Sequence, residues 1–234
     1  MPLPAEPRVT HRTKQEFVYR TLRRAILRCE LLPGERLVIE DLAARLDVSS
    51  IPVREALQLL QSEGLVDAVP HAGATVAPLS RESIIDVFTI LEGLQIVAAR
   101  LAAERATPED HAQLGALLQA MDLAAATQRE EWCELNARFH VTIARATRLP
   151  MLQQMTEQAF DRWDRTRRFF FSDVLAIRVP QAQSEHHAIV DALRGRDAEA
   201  LTVLMREHSQ HALRDYLHHL DTRSDQDPAG PVAS

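Results

Sequence analysis

Asn136 and His140 stand four residues apart, a spacing that projects two side chains from one helix face, one turn apart, within reach of a single ion. His186 and His208 flank Gly195 at distances equal to within about one turn of helix, so a helical hairpin turning there brings them to neighbouring levels. Three imidazoles and an amide oxygen would then converge inside a bundle. Imidazole nitrogen suits zinc, nickel, copper or iron; zinc is the expected occupant, and nickel or another divalent transition metal is the alternative. The chain has 10 histidines, however, and His187, His211, His218 and His219 have no evident task. An isolated histidine is more often a surface or core residue, so spacing alone leaves both readings open. A second set points to a different chemistry. Arg54, Gln58 and Gln61 repeat at i, i+4 and i+7, and these side chains pair with guanine or adenine edges in a major groove or grip phosphate at its rim.

The elements that must position Arg54 and Gln58 are legible around them. Val53, Ala56, Leu57 and Leu60 form an inward apolar stripe on the opposite face of the same helix. Asp41 to Leu46 makes a preceding helix, Asp47 and Val48 close it, Ser49 or Ser50 can cap the next, and Pro52 occupies an early helical position that needs no donor. That is a helix-turn-helix; a plain helical hairpin with a solvated polar face shares the pattern, and the flanking sequence separates the two. Leu65 to Val69 and Thr75 to Ala77 are β-prone runs joined by Pro70-His71-Ala72-Gly73-Ala74, a hairpin in the place of a wing. At its tip His71 and Gly73 are placed to approach the DNA backbone or minor groove. Upstream, a helix over about Lys14 to Cys29 carries Arg20, Arg23, Arg24 and Arg28 beside its apolar positions. Arg24 and Arg45 join the expected DNA-facing set.

From Ser80 onward the periodicity is helical throughout. Helices are expected from Ser80 to about Glu104, from Thr107, and over about Gln128–Thr147, Pro150–Phe171, Val179–Leu193 and Asp197–Leu220. The expected organisation is a flexible lead-in over 1–13, a winged helix-turn-helix (a small α/β unit) over 14–79, an all-α antiparallel helical bundle over 80–220, and a disordered tail over 221–234. The fold class is mainly α.

Composition agrees with two compact domains: 234 residues, 46% of them hydrophobic. The best apolar stretch, Ile84 to Ala103, is broken by Asp86, Glu92 and Arg100, and Met1 to Gln15 has no apolar central region, so no membrane span or leader is expected and the cytoplasm is the expected location. Cys29 and Cys133 form no metal or redox signature. The formal net charge is −6, yet Met1 to Leu79 holds ten basic and ten acidic residues, so the acidic excess belongs to the C-terminal part. A near-neutral DNA-facing unit implies that two copies act together.

Several phrases together resemble a known family. Arg-Ala-Ile-Leu, Leu-Pro-Gly-Glu-Arg-Leu, Asp-Leu-Ala-Ala-Arg-Leu-Asp-Val-Ser, Ile-Pro-Val-Arg-Glu-Ala-Leu and His-Ala-Gly-Ala-Thr-Val, between roughly Phe17 and Pro78, are similar to the winged helix-turn-helix of GntR-family bacterial transcription regulators. The resemblance implies DNA contacts from Arg54, from the wing glycine Gly73, and from Ser49, Ser50 and Ile51, where many relatives have Arg-Thr in place of Ser50-Ile51. Asn136-Ala-Arg-Phe-His140, Ser184 to Leu193 and Met205-Arg-Glu-His208 resemble the three metal-ligand segments of the FCD effector domain of FadR-type members. It implies Asn136, His140, His186 and His208 as ligands, with Asn136 where relatives commonly have Asp. Leu91 and Gln95 stand where relatives often show Arg and Glu, so Arg162 and Arg165, with Arg168, are candidate contacts for an acidic effector. The implied function is a homodimeric transcription regulator, expected to repress, whose hold on operator DNA answers to a small organic acid. A metal-dependent hydrolase using the same histidines is the alternative, although no His-Glu-x-x-His segment is present.

Overall fold

The computed structural model describes residues 9–69, 73–125, 129–170 and 174–226. The chain divides into two compact units, residues 1–79 and 80–234.

In the first unit α1 (Val9–Leu27) is followed by β1 (Arg36–Leu37), α2 (Ile39–Leu46), α3 (Ser50–Ser62), β2 (Val66–Val69) and β3 (Gly73–Val76). Helix α1 begins within the stretch expected to be a flexible lead-in. Its core is made by the stripes read from the sequence: Val18, Leu22 and Ile26 of α1 close on Val53, Leu57 and Leu60 of α3. Between α2 and α3 the chain reverses through Asp47 in the left-handed region (φ 52°), and the Val48 N–H donates to the Ala43 carbonyl at 3.0 Å. Ser49 occupies the cap position of α3 with extended backbone, but its side chain makes no capping bond. The reason lies three residues on: Pro52 has no N–H, and it stands where the usual donor to a capping hydroxyl would be. The antiparallel sheet has order β1-β3-β2, with Asp67 opposite Thr75 and Val69 opposite Gly73.

The second unit contains, among the described residues, α4 (Arg81–Arg105), α5 (Pro108–Ala125), α6 (Arg129–Ala146), α7 (Pro150–Phe170), α8 (Val174–Arg194) and α9 (Ala198–Gln226). Helix α4 opens on a reciprocal cap, Ser83 N–H to Ser80 Oγ at 3.2 Å and Ser80 N–H to Ser83 Oγ at 2.9 Å. Thr107 and Asp110 open α5 the same way, and Arg148 closes on the Asp110 carboxylate at 2.7 Å. Two boundaries differ from the sequence expectation. Helix α8 starts at Val174 and carries Pro180 inside it, where Val179 was the expected start. The proline ring is exposed and forfeits one backbone bond, while the adjacent Arg178 and Val179 are buried. Helix α9 continues past Asp221 into the stretch expected to be a disordered tail, where Asp221 is paired with Arg81 at the start of α4 at 2.5 Å. Helices α8 and α9 turn back on each other at Gly195 and at Arg196, which takes φ 55°. No described helix is long and apolar enough to cross a membrane.

Leu60 is fully buried between α1 and α3. Leu60→Ala is expected to destabilise the first unit by about 2–5 kcal/mol, measured as faster amide hydrogen exchange in α1 and α3 with the exchange of α4 to α9 unchanged.

Candidate functional site

Helix α3 presents Ile51, Arg54, Gln58 and Gln61 to solvent while Val53, Ala56, Leu57 and Leu60 are buried. Arg54 makes one long ion pair, 4.0 Å to Glu40, with both side chains well exposed, so little holds it back from another anion. Arg24, Arg45 and Ser49 are exposed and Ser50 is half-buried. Gly73 at the start of β3 has φ 97°, a conformation that any other residue would occupy under strain, and it is exposed. His71 lies outside the described residues. The arrangement is one polar helix face with a two-stranded wing beside it, and it suits insertion of a helix in a major groove.

The second site is inside the helical unit. His140 of α6, His186 of α8 and His208 of α9 are all buried, and a set of their donor atoms lies within 4.8 Å of one another. His140 Nε2 stands 3.3 Å from His186 Nε2. Two nitrogens each about 2.0–2.1 Å from one tetrahedral ion would lie about 3.4 Å apart, so this separation fits a shared metal. Ring centroids separate by 5.1 Å between His140 and His208 and by 4.8 Å between His186 and His208. Asn136, one turn before His140, is buried, and its Oδ1 has no hydrogen-bond partner among the described residues. A buried amide oxygen left unpaired is costly, and a cation would satisfy it. Burial pushes the pKa values of His140 and His186 well below that of a free imidazole, and the nearby His208 adds to the effect. Burial also lowers that of His208, against the opposing pull of Glu185. Neutral imidazoles are the form a metal requires.

Glu185, next to His186 in sequence, orients His208. Its Oε2 lies 2.7 Å from His208 Nδ1, which places the proton on Nδ1 and leaves Nε2 as the donor to a metal. The same carboxylate accepts from His211 Nδ1 at 2.8 Å and from both terminal nitrogens of Arg178, one at 3.1 Å. Burial alone would raise the Glu185 carboxyl, but the bonds from His208 and Arg178 outweigh it and hold it well below the ordinary carboxylate range. Arg178, itself buried, also donates to the His208 carbonyl at 3.2 Å and lies 3.6 Å from Asp215.

A cavity partly open to solvent adjoins the cluster, and Asn136, His140, His208 and Arg178 are in its wall. Leu91 and Gln95 line it as well. Arg162 and Arg165, expected as effector contacts, do not: Arg162 is exposed on α7, Arg165 is buried outside the cavity wall, and the arginine that faces the cavity is Arg178. The signal for Arg178 was its place seven residues before Glu185, on the same side of one helix.

Comparison with known proteins identifies both units. Residues 14–76 match the gntR family of bacterial regulatory proteins, and residues 86–211 match the FCD domain. The chain is 29% identical over 170 residues to the HTH-type transcriptional regulator McbR of Escherichia coli K12, covering 72% of this chain and 77% of that protein. It is 29% identical over 197 residues to the E. coli repressor GlaR, covering 81% and 90%. Among solved structures, E. coli McbR/YncC superposes with a TM-score of 0.72 at 25% identity, covering 88% of this chain and 98% of that one. A GntR regulator from Rhodococcus sp. RHA1 shares the fold, with a TM-score of 0.70 at 22% identity and coverage of 88% and 98%.

His140→Ala combined with His186→Ala is expected to abolish bound zinc, measured by elemental analysis after dialysis. Glu185→Gln is expected to weaken zinc about 10–100-fold in competition with a chromophoric chelator, because the bond that orients His208 loses its charged acceptor.

Proposed function

Because the chain belongs to the GntR family of bacterial DNA-binding transcription regulators and carries its FCD domain, we propose that it is a metal-dependent repressor released from its operator by a small organic acid. Relatives and family are regulators, a non-enzymatic class, and nothing supports a hydrolase. The reading is carried by one observation: of three clustered, buried imidazoles, those of His140 and His208 stand in the wall of a cavity beside Asn136, whose amide oxygen has no hydrogen-bond partner among the described residues. Asn136, His140, His186 and His208 would hold the ion, zinc by preference and nickel as the alternative, since nitrogen-rich neutral donors disfavour calcium and magnesium. When bound, that ion supplies positive charge that none of the four neutral donors cancels, and so a place for one anionic oxygen donor.

The chain's own residues supply the rest. Glu185 fixes the His208 ring, Arg178 fixes Glu185, and Gln95 and Ser209 bring further buried polar atoms to the cavity wall. Helix α4 lines the cavity with Leu91 and Gln95 and is also the first element after the boundary between the units. A shift of α4 on ligand binding is therefore passed directly into the peptide that leads to the DNA-reading unit. Coupling of about 1–3 kcal/mol suffices to change operator affinity roughly 5–150-fold. Two copies acting as a homodimer on a near-palindromic site would compensate for the even charge balance of the first unit. Repression is supported by the E. coli relatives GlaR and RspR, which are described as repressors. Arg54, Gln58 and the α3 cap residues Ser49, Ser50 and Ile51 would contact base edges and phosphates, with Arg24, Arg45 and Gly73 on the backbone.

Arg54→Ala is expected to lower affinity for the protein's own promoter region by roughly 5–150-fold, about 1–3 kcal/mol, in a gel-shift titration at fixed salt, with far-UV circular dichroism unchanged. Unchanged affinity would remove the assignment of α3 as the reading helix. In parallel, a thermal-shift screen of organic acids should show stabilisation that disappears with a chelator; acids that stabilise equally after metal removal would sever the effector from the metal.

A further inference from the structure

We propose that the cavity takes a flat aromatic ring bearing a single carboxylate. The inference rests on the effector-binding reading above and narrows it from organic acids in general to one class. Helices α4 and α9 run antiparallel along the cavity, held in register by Arg206 against Glu92 at 3.8 Å and by Phe88 against Tyr216 with ring centroids 5.2 Å apart. Gln95 and Ser209, whose Oε1 and Oγ are buried without a hydrogen-bond partner among the described residues, stand toward the metal-ligand end with Asn136 and His208. Seven residues away on each helix stand Phe88 and Tyr216, about 10 Å along the axis. The two ends differ in chemistry. One presents donors and acceptors in need of a partner; the other presents the rings of Phe88, Trp163 and Tyr216, with Leu91 between the ends.

Charge sets the number of carboxylates. Among the described lining residues Arg178 is the one arginine or lysine, and its charge is already matched by Glu185 and Asp215. A second carboxylate on the ligand would come to rest among aromatic rings with no counter-charge, and burying an unpaired ion is strongly unfavourable. An aromatic body loses nothing there, because the rings offer both stacked and edge geometries: His140 and Phe160 stack at 17°, and Phe160 meets Trp163 at 74°. One polar head and one flat apolar body therefore match the two ends.

The chain has two tryptophans, Trp132 and Trp163, and both line the cavity, so intrinsic fluorescence reports on this site. The test uses the zinc-loaded full-length protein, with calorimetry for affinity and tryptophan emission for location. Its probes are benzoate, cyclohexanecarboxylate (the same head on a puckered ring) and terephthalate (a second carboxylate opposite the first). Benzoate is expected to bind at least tenfold tighter than either and to change tryptophan emission. Leu91→Arg, which places a cation between the two ends, is expected to move the terephthalate-to-benzoate preference at least tenfold toward terephthalate. Phe88→Leu, which keeps the apolar volume, is expected to weaken benzoate about tenfold. Equal or tighter binding of terephthalate or cyclohexanecarboxylate by the unaltered protein, or benzoate binding with no change in emission, overturns the proposal and leaves the organic-acid reading standing. No binding of any of the three, or of succinate and citrate, to zinc-loaded protein overturns both.

Discussion

The Glu185 carboxylate is the point on which the helical unit's chemistry depends. It accepts from Arg178, His208 and His211, so one half-buried anion joins α8 to α9 and sets the tautomer of a candidate ligand. A carboxylate in that position would be costly to bury alone, and Arg178 would be equally costly without it. Their mutual neutralisation lets both sit beside a cavity, and the direction of the His208 ring follows from it. The cluster of imidazoles is then rigid on one side, through Glu185, and held on the other by packing, with Phe160 stacked on His140 and Phe139 against His186 at 4.9 Å. Such support by neighbours is what a metal site requires of its ligands.

The two units use their arginines oppositely. In the reading helix Arg54 is exposed and faintly paired, available to an external anion. In the bundle Arg178 is buried and committed, and Arg167 likewise is buried against Glu130 and Asp164. The first unit holds ten basic and ten acidic residues, so the net charge of −6 resides in the bundle and not in the unit that carries the DNA-reading helix.

Much of this was visible in the residue pattern, for physical reasons that differ by element. Helix α3 was legible because one side must be apolar and the other polar, which a 3.6-residue period writes plainly at Val53, Ala56, Leu57 and Leu60. His140 and Asn136 were legible because i, i+4 spacing fixes a shared face. Arg178 was not, because Pro180 reads as a helix start and so leaves Arg178 outside the helix in which its relation to Glu185 exists. Arg162 and Arg165 were favoured by the density of arginine on their helix, but charge density does not say which face turns inward. Leu91 and Gln95 were conspicuous by type, yet only the packing of α4 shows that both look into the cavity. The Ser49 cap failed for a local reason, since Pro52 removes the donor it would have served.

The neutrality of the donor set has a consequence for regulation. With Asn136 in place of a carboxylate, an ion held by four uncharged groups would keep its full charge inside the bundle, and an anionic ligand would help to make that charge tolerable. Binding of metal and of acid would then be linked, and by linkage reciprocally: whatever factor the ion added to the affinity for the acid, the acid would return to the affinity for the ion. The unpaired Oδ1 of Asn136, beside the buried Gln95 and Ser209, is the structural counterpart of that arrangement, since the protein leaves these atoms without internal partners where a ligand and its ion would supply them.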